Sequence, residues 1–135
     1  MDIHNYKGRL ERTLRRIDNS EDISGENKAL ILKFKDYCIS EGIGLAKIER
    51  YLCDSKKYAQ MLRKNLDKAS KEDIRRVIAE LEQSVLSAET KNGFKIMLRK
   101  FYRFIEGIEE KGVYPERVSL APYSSKETHL ICSVP

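Results

Sequence analysis

The chain has no tryptophan, two histidines, three prolines and seven glycines among its 135 residues. So little proline and glycine argues against a turn-rich β-sandwich. The two histidines, His4 and His129, sit near the chain ends, with no spacing motif around them. A zinc site built on them is not expected, and general acid–base chemistry would fall to carboxylates, Lys or Tyr. The three cysteines (Cys38, Cys53, Cys132) are odd in number, far apart and without a CxxC pair. That pattern argues against a disulfide framework and predicts free thiols in a reducing, cytoplasmic setting. No stretch approaches the roughly 18–20 apolar residues that cross a bilayer. The polar start, Met1 to Leu10, predicts no signal peptide.

What the chain does have is charge and helical periodicity. Lys and Arg total 26 against 21 Asp and Glu, a net charge of +5, while 41% of residues are hydrophobic, enough to bury a core. Tyr6, Leu10, Leu14 and Ile17 recur at helical spacing among Lys7, Arg9, Arg12, Arg15 and Arg16, so a basic helix is predicted first. A second helix is predicted from about Glu26 to Glu41, with Leu30, Ile31, Phe34, Tyr37 and Cys38 on one face, ending at Gly42. A third starts at Gly44 with the stripe Leu45, Ile48, Leu52, Ala59 and Leu62; Tyr51 and Tyr58 read better as core or rim than as base-stacking platforms. Lys64 to Ala69 reads as a polar connection. Ser70 and Asp73 form an imperfect capping box ahead of Ile74, Val77, Ile78, Leu81 and Val85. Ser87 caps a last helix carrying Phe94, Met97, Leu98, Phe101 and Ile105, which Gly107 or Gly112 ends.

The expectation is therefore all-α: a small bundle of four to five helices with a basic N-terminal helix and an irregular C-terminal tail. Its core should hold Phe34, Ile48, Leu52, Ile78, Leu81, Leu98 and Phe101. By composition the chain divides into 1–25 (basic helix and linker), 26–112 (helical domain) and 113–135 (extended tail, with a short apolar end at 130–135 that could be an edge strand).

No phosphate-binding glycine loop, GxSxG elbow or recognisable carboxylate pair is present, so no catalytic residue, cofactor or metal site is expected. The informative signal is on the last helix. From Lys91 to Arg103 there are five cations (Lys91, Lys95, Arg99, Lys100, Arg103) and no acid. Lys91, Lys95 and Arg99 are spaced i, i+4, i+8 and share a side away from the apolar stripe, so a solvent-facing row able to neutralise phosphates is expected. The competing reading is an ordinary solvated face. Lys47 and Arg50 on the third helix give a weaker hint of the same kind. The modest apolar face of the first helix, without Trp or Phe, does not favour a membrane surface.

Four stretches also carry a family resemblance: NKALILKFKDYC (27–38), GLAKIERYL (44–52), ASKEDI (69–74), and LSAETK (86–91) leading into LRKFYRFI (98–105) and YPERV (114–118). In this order and spacing, residues of about 9–118 resemble the N-terminal SAM-like core-binding domain of tyrosine recombinases (the phage-integrase family), in particular archaeal integrases and XerC/XerD-like proteins. The resemblance implies a helical domain forming half of a clamp around a recombination site, with the helices starting near Leu45 and Ser87 approaching the major groove. It implies a DNA-binding set of Lys47, Arg50, Thr90, Lys91, Lys95, Arg99 and Arg103, with the Thr90 hydroxyl meeting a phosphate. Lys47 stands where many relatives have Thr, and Ala88 and Glu89 where they often have an aromatic. The family's catalytic Arg, Lys, His-x-x-Arg and Tyr constellation does not follow Val118, and His129-Leu130-Ile131-Cys132 is not His-x-x-Arg. The implied function is DNA binding without catalysis. The implied partners are double-stranded DNA and other recombinase subunits, with no membrane and no small-molecule substrate. The alternative from another class is a helical protein–protein interaction module, which would need exposed apolar or acidic anchors.

Overall fold

The computed structural model describes residues 5–119. Among these the fold is all-α: five α-helices and two short 3₁₀ helices, with no strand. The α-helices are α1 (Tyr6–Asp18), α2 (Gly25–Ser40), α3 (Leu45–Leu62), α4 (Lys71–Gln83) and α5 (Ala88–Glu106); the 3₁₀ helices are Leu66–Lys68 and Glu116–Val118. None of these helices is long and apolar enough to cross a membrane. Packing divides the chain into two compact units that meet between Ala69 and Ser70. His4, His129, Cys132 and the apolar end at 130–135 lie outside the described residues.

In the first unit α1 and α2 both pack against α3. The basic first helix is thus docked: Leu10, Thr13 and Ile17 are buried while its cations face outward. Its last turn carries Arg15 and Arg16, cations placed where the helix dipole is negative. At the seam with α3, the Thr13 hydroxyl and the Cys53 thiol lie 3.9 Å apart. Ser24 caps α2 by accepting the Asn27 N–H at 3.1 Å. Phe34 of α2 meets Tyr51 of α3 with ring centroids 6.1 Å apart. Tyr51 and Tyr58 are both buried, as core residues rather than stacking platforms. Leu45, placed on the apolar stripe by its spacing, is instead 40% exposed at the first position of α3.

The connection after α3 is more ordered than its polar composition predicts. Arg63 ends α3 in the left-handed conformation, φ 58°, donating its N–H to the Ala59 carbonyl. Leu66 and Ala69 are buried. The buried Asn27 side chain spans this turn, donating from Nδ2 to the Lys64 carbonyl and accepting the Leu66 N–H, each at 2.9 Å. One amide therefore ties together two backbone groups of the turn that follows α3.

In the second unit α4 packs against α5, and the Glu116–Val118 helix packs on both. The capping box forms with Asp in place of Glu: Ser70 accepts the Asp73 N–H at 3.1 Å and Asp73 accepts the Ser70 N–H at 2.9 Å. Phe94, Met97, Leu98, Phe101 and Tyr102 of α5 are buried, with Leu81 and Val77 of α4. Ile78, expected in the core, is only half-buried, because the face centred on Ile74, Val77 and Leu81 takes the interior. Gly107 closes α5 at φ 68°, a conformation that favours glycine. Residues 113–119 are not an unpaired extended tail. Val118 is buried, Lys71 binds Glu116 at 2.7 Å, and Arg117 binds Glu106 at 3.0 Å while lying over the Tyr102 ring.

Candidate nucleic-acid interface

The helix that carries the basic run, α5, uses most of those cations inside its own unit. The last turn of α4 contains no basic residue, so its carbonyls and dipole lack a cation of their own. Two lysines of α5 supply it. Lys91 Nζ donates to the Glu82 carbonyl at 3.0 Å, and Lys95 Nζ pairs with the Glu82 carboxylate at 3.1 Å. Lys95 is buried at 9% relative exposure, whereas the row on α5 was expected to face solvent. The i, i+4, i+8 spacing does put Lys91 and Lys95 on one side of α5, but the end of α4 covers that side. Lys95 is accordingly a structural cation, and Lys91 is half-buried.

One turn further on, Arg99 lies over the Tyr114 ring, 4.0 Å from its centroid. Arg103 stands 5.3 Å from the same centroid and donates to the Val113 carbonyl at 2.9 Å. It also donates to the Ile108 carbonyl at 3.4 Å, tying down the loop that follows Gly107. Thr90 is half-buried: its N–H donates to Ser87 Oγ at 3.2 Å, and the two hydroxyls are 3.0 Å apart.

The first unit presents a different surface. Lys47 and Arg50 are both exposed, in the first half of α3. Gly44 caps α3 without a side-chain oxygen, so the early N–H groups of the helix receive no side-chain acceptor from it. Lys57 continues the exposed cations along α3. On α1, Lys7, Arg9, Arg12, Arg15 and Arg16 are all exposed. Together α1 and α3 expose eight Lys and Arg against two acids, Glu11 and Asp18. The α1 cations were visible in the sequence, but no role at a site followed from them, because nothing there showed that α1 packs along α3.

Asp54 lies on α3 with the cations Arg50 and Lys57. Burial pushes its carboxyl up to about 6, against the pull of Arg50 and Lys57 and with a smaller push from Glu49. Among the described residues no hydrogen-bond partner meets its Oδ2. Cys53, beside it, is also raised, by burial first and then by Glu49 and Asp54, with Thr13 and Arg16 pulling the other way. Among the described residues no group of three or more His, Cys, Asp or Glu is arranged to hold a metal ion.

No family model, curated protein or solved structure matches the chain.

Proposed function

We propose that this chain binds duplex DNA through its phosphate backbone, as a non-catalytic core-binding domain of an integrase-like tyrosine recombinase. The observation that carries the reading is the surface of the first unit, where α1 and α3 expose eight cations and two acids. Long cations held outward on packed helices can replace the counterions condensed on DNA. The sequence likeness to the core-binding domain supplies the class of DNA transaction. Lys47 and Arg50 of α3 are the leading contacts, and the α1 cations extend them along the backbone. The second unit contributes on its own terms through Arg99 and Arg103, while Lys95 serves the fold.

The test is a duplex titration across salt concentrations. Contact with about three to five phosphates gives a slope of log K against log salt of roughly −3 to −4.5. Arg12→Gln, Arg16→Gln, Lys47→Gln and Arg50→Gln should each make the slope shallower by up to about 0.9. Lys33→Gln, on the exposed part of α2, should leave it unchanged. Equal losses for Lys33→Gln and the α1 and α3 variants would refute a localised interface.

A second reading, a helical protein-interaction module, draws on Leu32 and Ile39. They stand seven residues apart on α2, at 43% and 49% exposure, as apolar anchors would. It gains ground if the titration finds no salt-dependent binding to duplex DNA.

A further inference from the structure

On α3 the exposed cations Lys47, Arg50 and Lys57 share one stripe with an acid, Asp54. Positions 47, 50, 54 and 57 follow at i, i+3, i+7 and i+10, a spacing that keeps side chains on one side of a helix. Asp54 therefore stands within the basic row, four residues after Arg50 and three before Lys57. Unlike those cations it is half-buried, and its Oδ2 is shut off from solvent with no hydrogen-bond partner among the described residues.

An oxygen so placed is costly to hold as an anion and less costly as part of a neutral carboxyl. Burial accordingly pushes the Asp54 carboxyl up to about 6, and the attraction of Arg50 and Lys57 offsets only part of that rise. The charges that act on Asp54 are these two cations and Glu49, all on α3. The helices packed against α3, α1 and α2, add none among the described residues; Arg16 of α1 acts on the neighbouring Cys53 thiol instead. The protonation of Asp54 therefore answers chiefly to charge that arrives along its own stripe.

A backbone phosphate brought to this row carries a negative charge. It repels the Asp54 carboxylate and engages the cations that favour its ionised form. Both effects favour the neutral carboxyl, which takes its proton from solvent. The coupling is reciprocal: a bound phosphate tightens the proton, and the proton tightens the phosphate. We infer that duplex binding along α3 takes up a proton at Asp54, which makes this carboxyl a pH-sensitive gate on the Lys47, Arg50 and Lys57 row. The gate rests on the DNA-binding reading of the first unit and adds its regulation.

The sign follows from the two states. The free carboxyl loses its proton near pH 6 and the DNA-bound one at a higher pH, so affinity is greatest below about pH 6. It falls as pH rises through the value of the complex. One phosphate about 8 Å away, at the edge of the protein, shifts the proton equilibrium by about a factor of ten.

The experiment titrates the full chain, Asp54→Asn and Asp18→Asn with a blunt duplex at equal ionic strength. Two conditions, about pH 5.5 and about pH 8, bracket the transition. The affinity ratio between them should be roughly sevenfold larger in the parent than in Asp54→Asn. At the higher pH the Asn variant should bind roughly tenfold more tightly than the parent, and at the lower pH within about twofold of it. Any titration of His4 and His129 is common to both chains and cancels. Asp18→Asn, which removes an exposed acid of the same surface, should keep the parent's ratio. The carbon-13 carboxyl resonance of Asp54 in the parent gives the answer without a substitution. Its titration midpoint should move up by about one pH unit under saturating duplex.

Equal affinity ratios in the parent and in Asp54→Asn, or an unmoved midpoint, with duplex bound, overturn the gate and leave the DNA-binding reading standing. No duplex binding at either pH removes that reading and the gate with it.

Discussion

Replacing Lys95 in turn by methionine, alanine and glutamate separates the three contributions that its buried position combines. The Lys95 side chain is 11% exposed and its ammonium is 3.1 Å from the Glu82 carboxylate, which is 51% exposed. A pair so placed is worth about 0.5–1 kcal/mol, because water reaches one partner. Lys95→Met keeps most of the stem and loses that pair, so a cost of about 1 kcal/mol is expected. Lys95→Ala also removes three buried methylenes at about 0.8 kcal/mol each, raising the cost to roughly 3 kcal/mol. Lys95→Glu replaces the attraction by a carboxylate facing Glu82, at the end of α4 where the helix dipole already disfavours anions. It should be the most damaging, at about 4 kcal/mol. Urea unfolding monitored by circular dichroism measures all three, and the expected order of loss is Met, then Ala, then Glu. A Met variant as stable as the parent that also flattens the salt slope of duplex binding by about 0.9 would refute the structural role and return Lys95 to the solvent-facing row.

Two further predictions concern the first unit. Asp54 holds its proton to about pH 6, above the ordinary 3.8, so the folded chain binds the proton more tightly than the unfolded one. The stability this confers is present at low pH and is lost as pH rises from about 4 to 6, to the extent of about 1–3 kcal/mol. Asp54→Asn should remove that slope and raise Tm at pH 7, and an unchanged pH profile in the variant would count against it. Asn27→Ala removes the bonds to the Lys64 carbonyl and from the Leu66 N–H, each at 2.9 Å, and should cost about 2–3 kcal/mol in urea unfolding. Hydrogen exchange should then speed up first at Leu66, and protection there equal to the parent's would contradict the account.

What the sequence makes legible is local. Ser70 and Ser87 mark helix starts, and Gly107 marks an end, because caps are written within one turn of the chain. Apolar spacing likewise finds Phe34, Ile48, Leu52, Leu81, Leu98 and Phe101, all buried. Tertiary partners are not legible in this way. Spacing places Lys91 and Lys95 on one side of α5, but only the fold brings the end of α4 over that side. Leu66 and Val118 are single apolar residues in stretches without a period, so no pattern announces that both are buried. The candidate site divides along the same line. Lys47 and Arg50 are exposed as expected, whereas the placement of Arg99 and Arg103 against the Tyr114 ring depends on Tyr114 returning from a loop with no helical register.

The seam between α1 and α3 also holds a chemical reporter. The thiolate is the species that attacks an alkylating reagent, and partial burial at the seam pushes the Cys53 thiol up, above its ordinary range. Cys38 is buried, so among the described residues Cys53 is the accessible thiol. Loosening α1 from α3 removes the desolvation, the largest push upward, and this outweighs the loss of the Thr13 contact, which pulls the other way. Cys53 is exposed even with α1 docked, so the rate at which it is capped reports how strongly the α1–α3 seam raises its thiol, without a label having to be engineered into the surface that α1 presents.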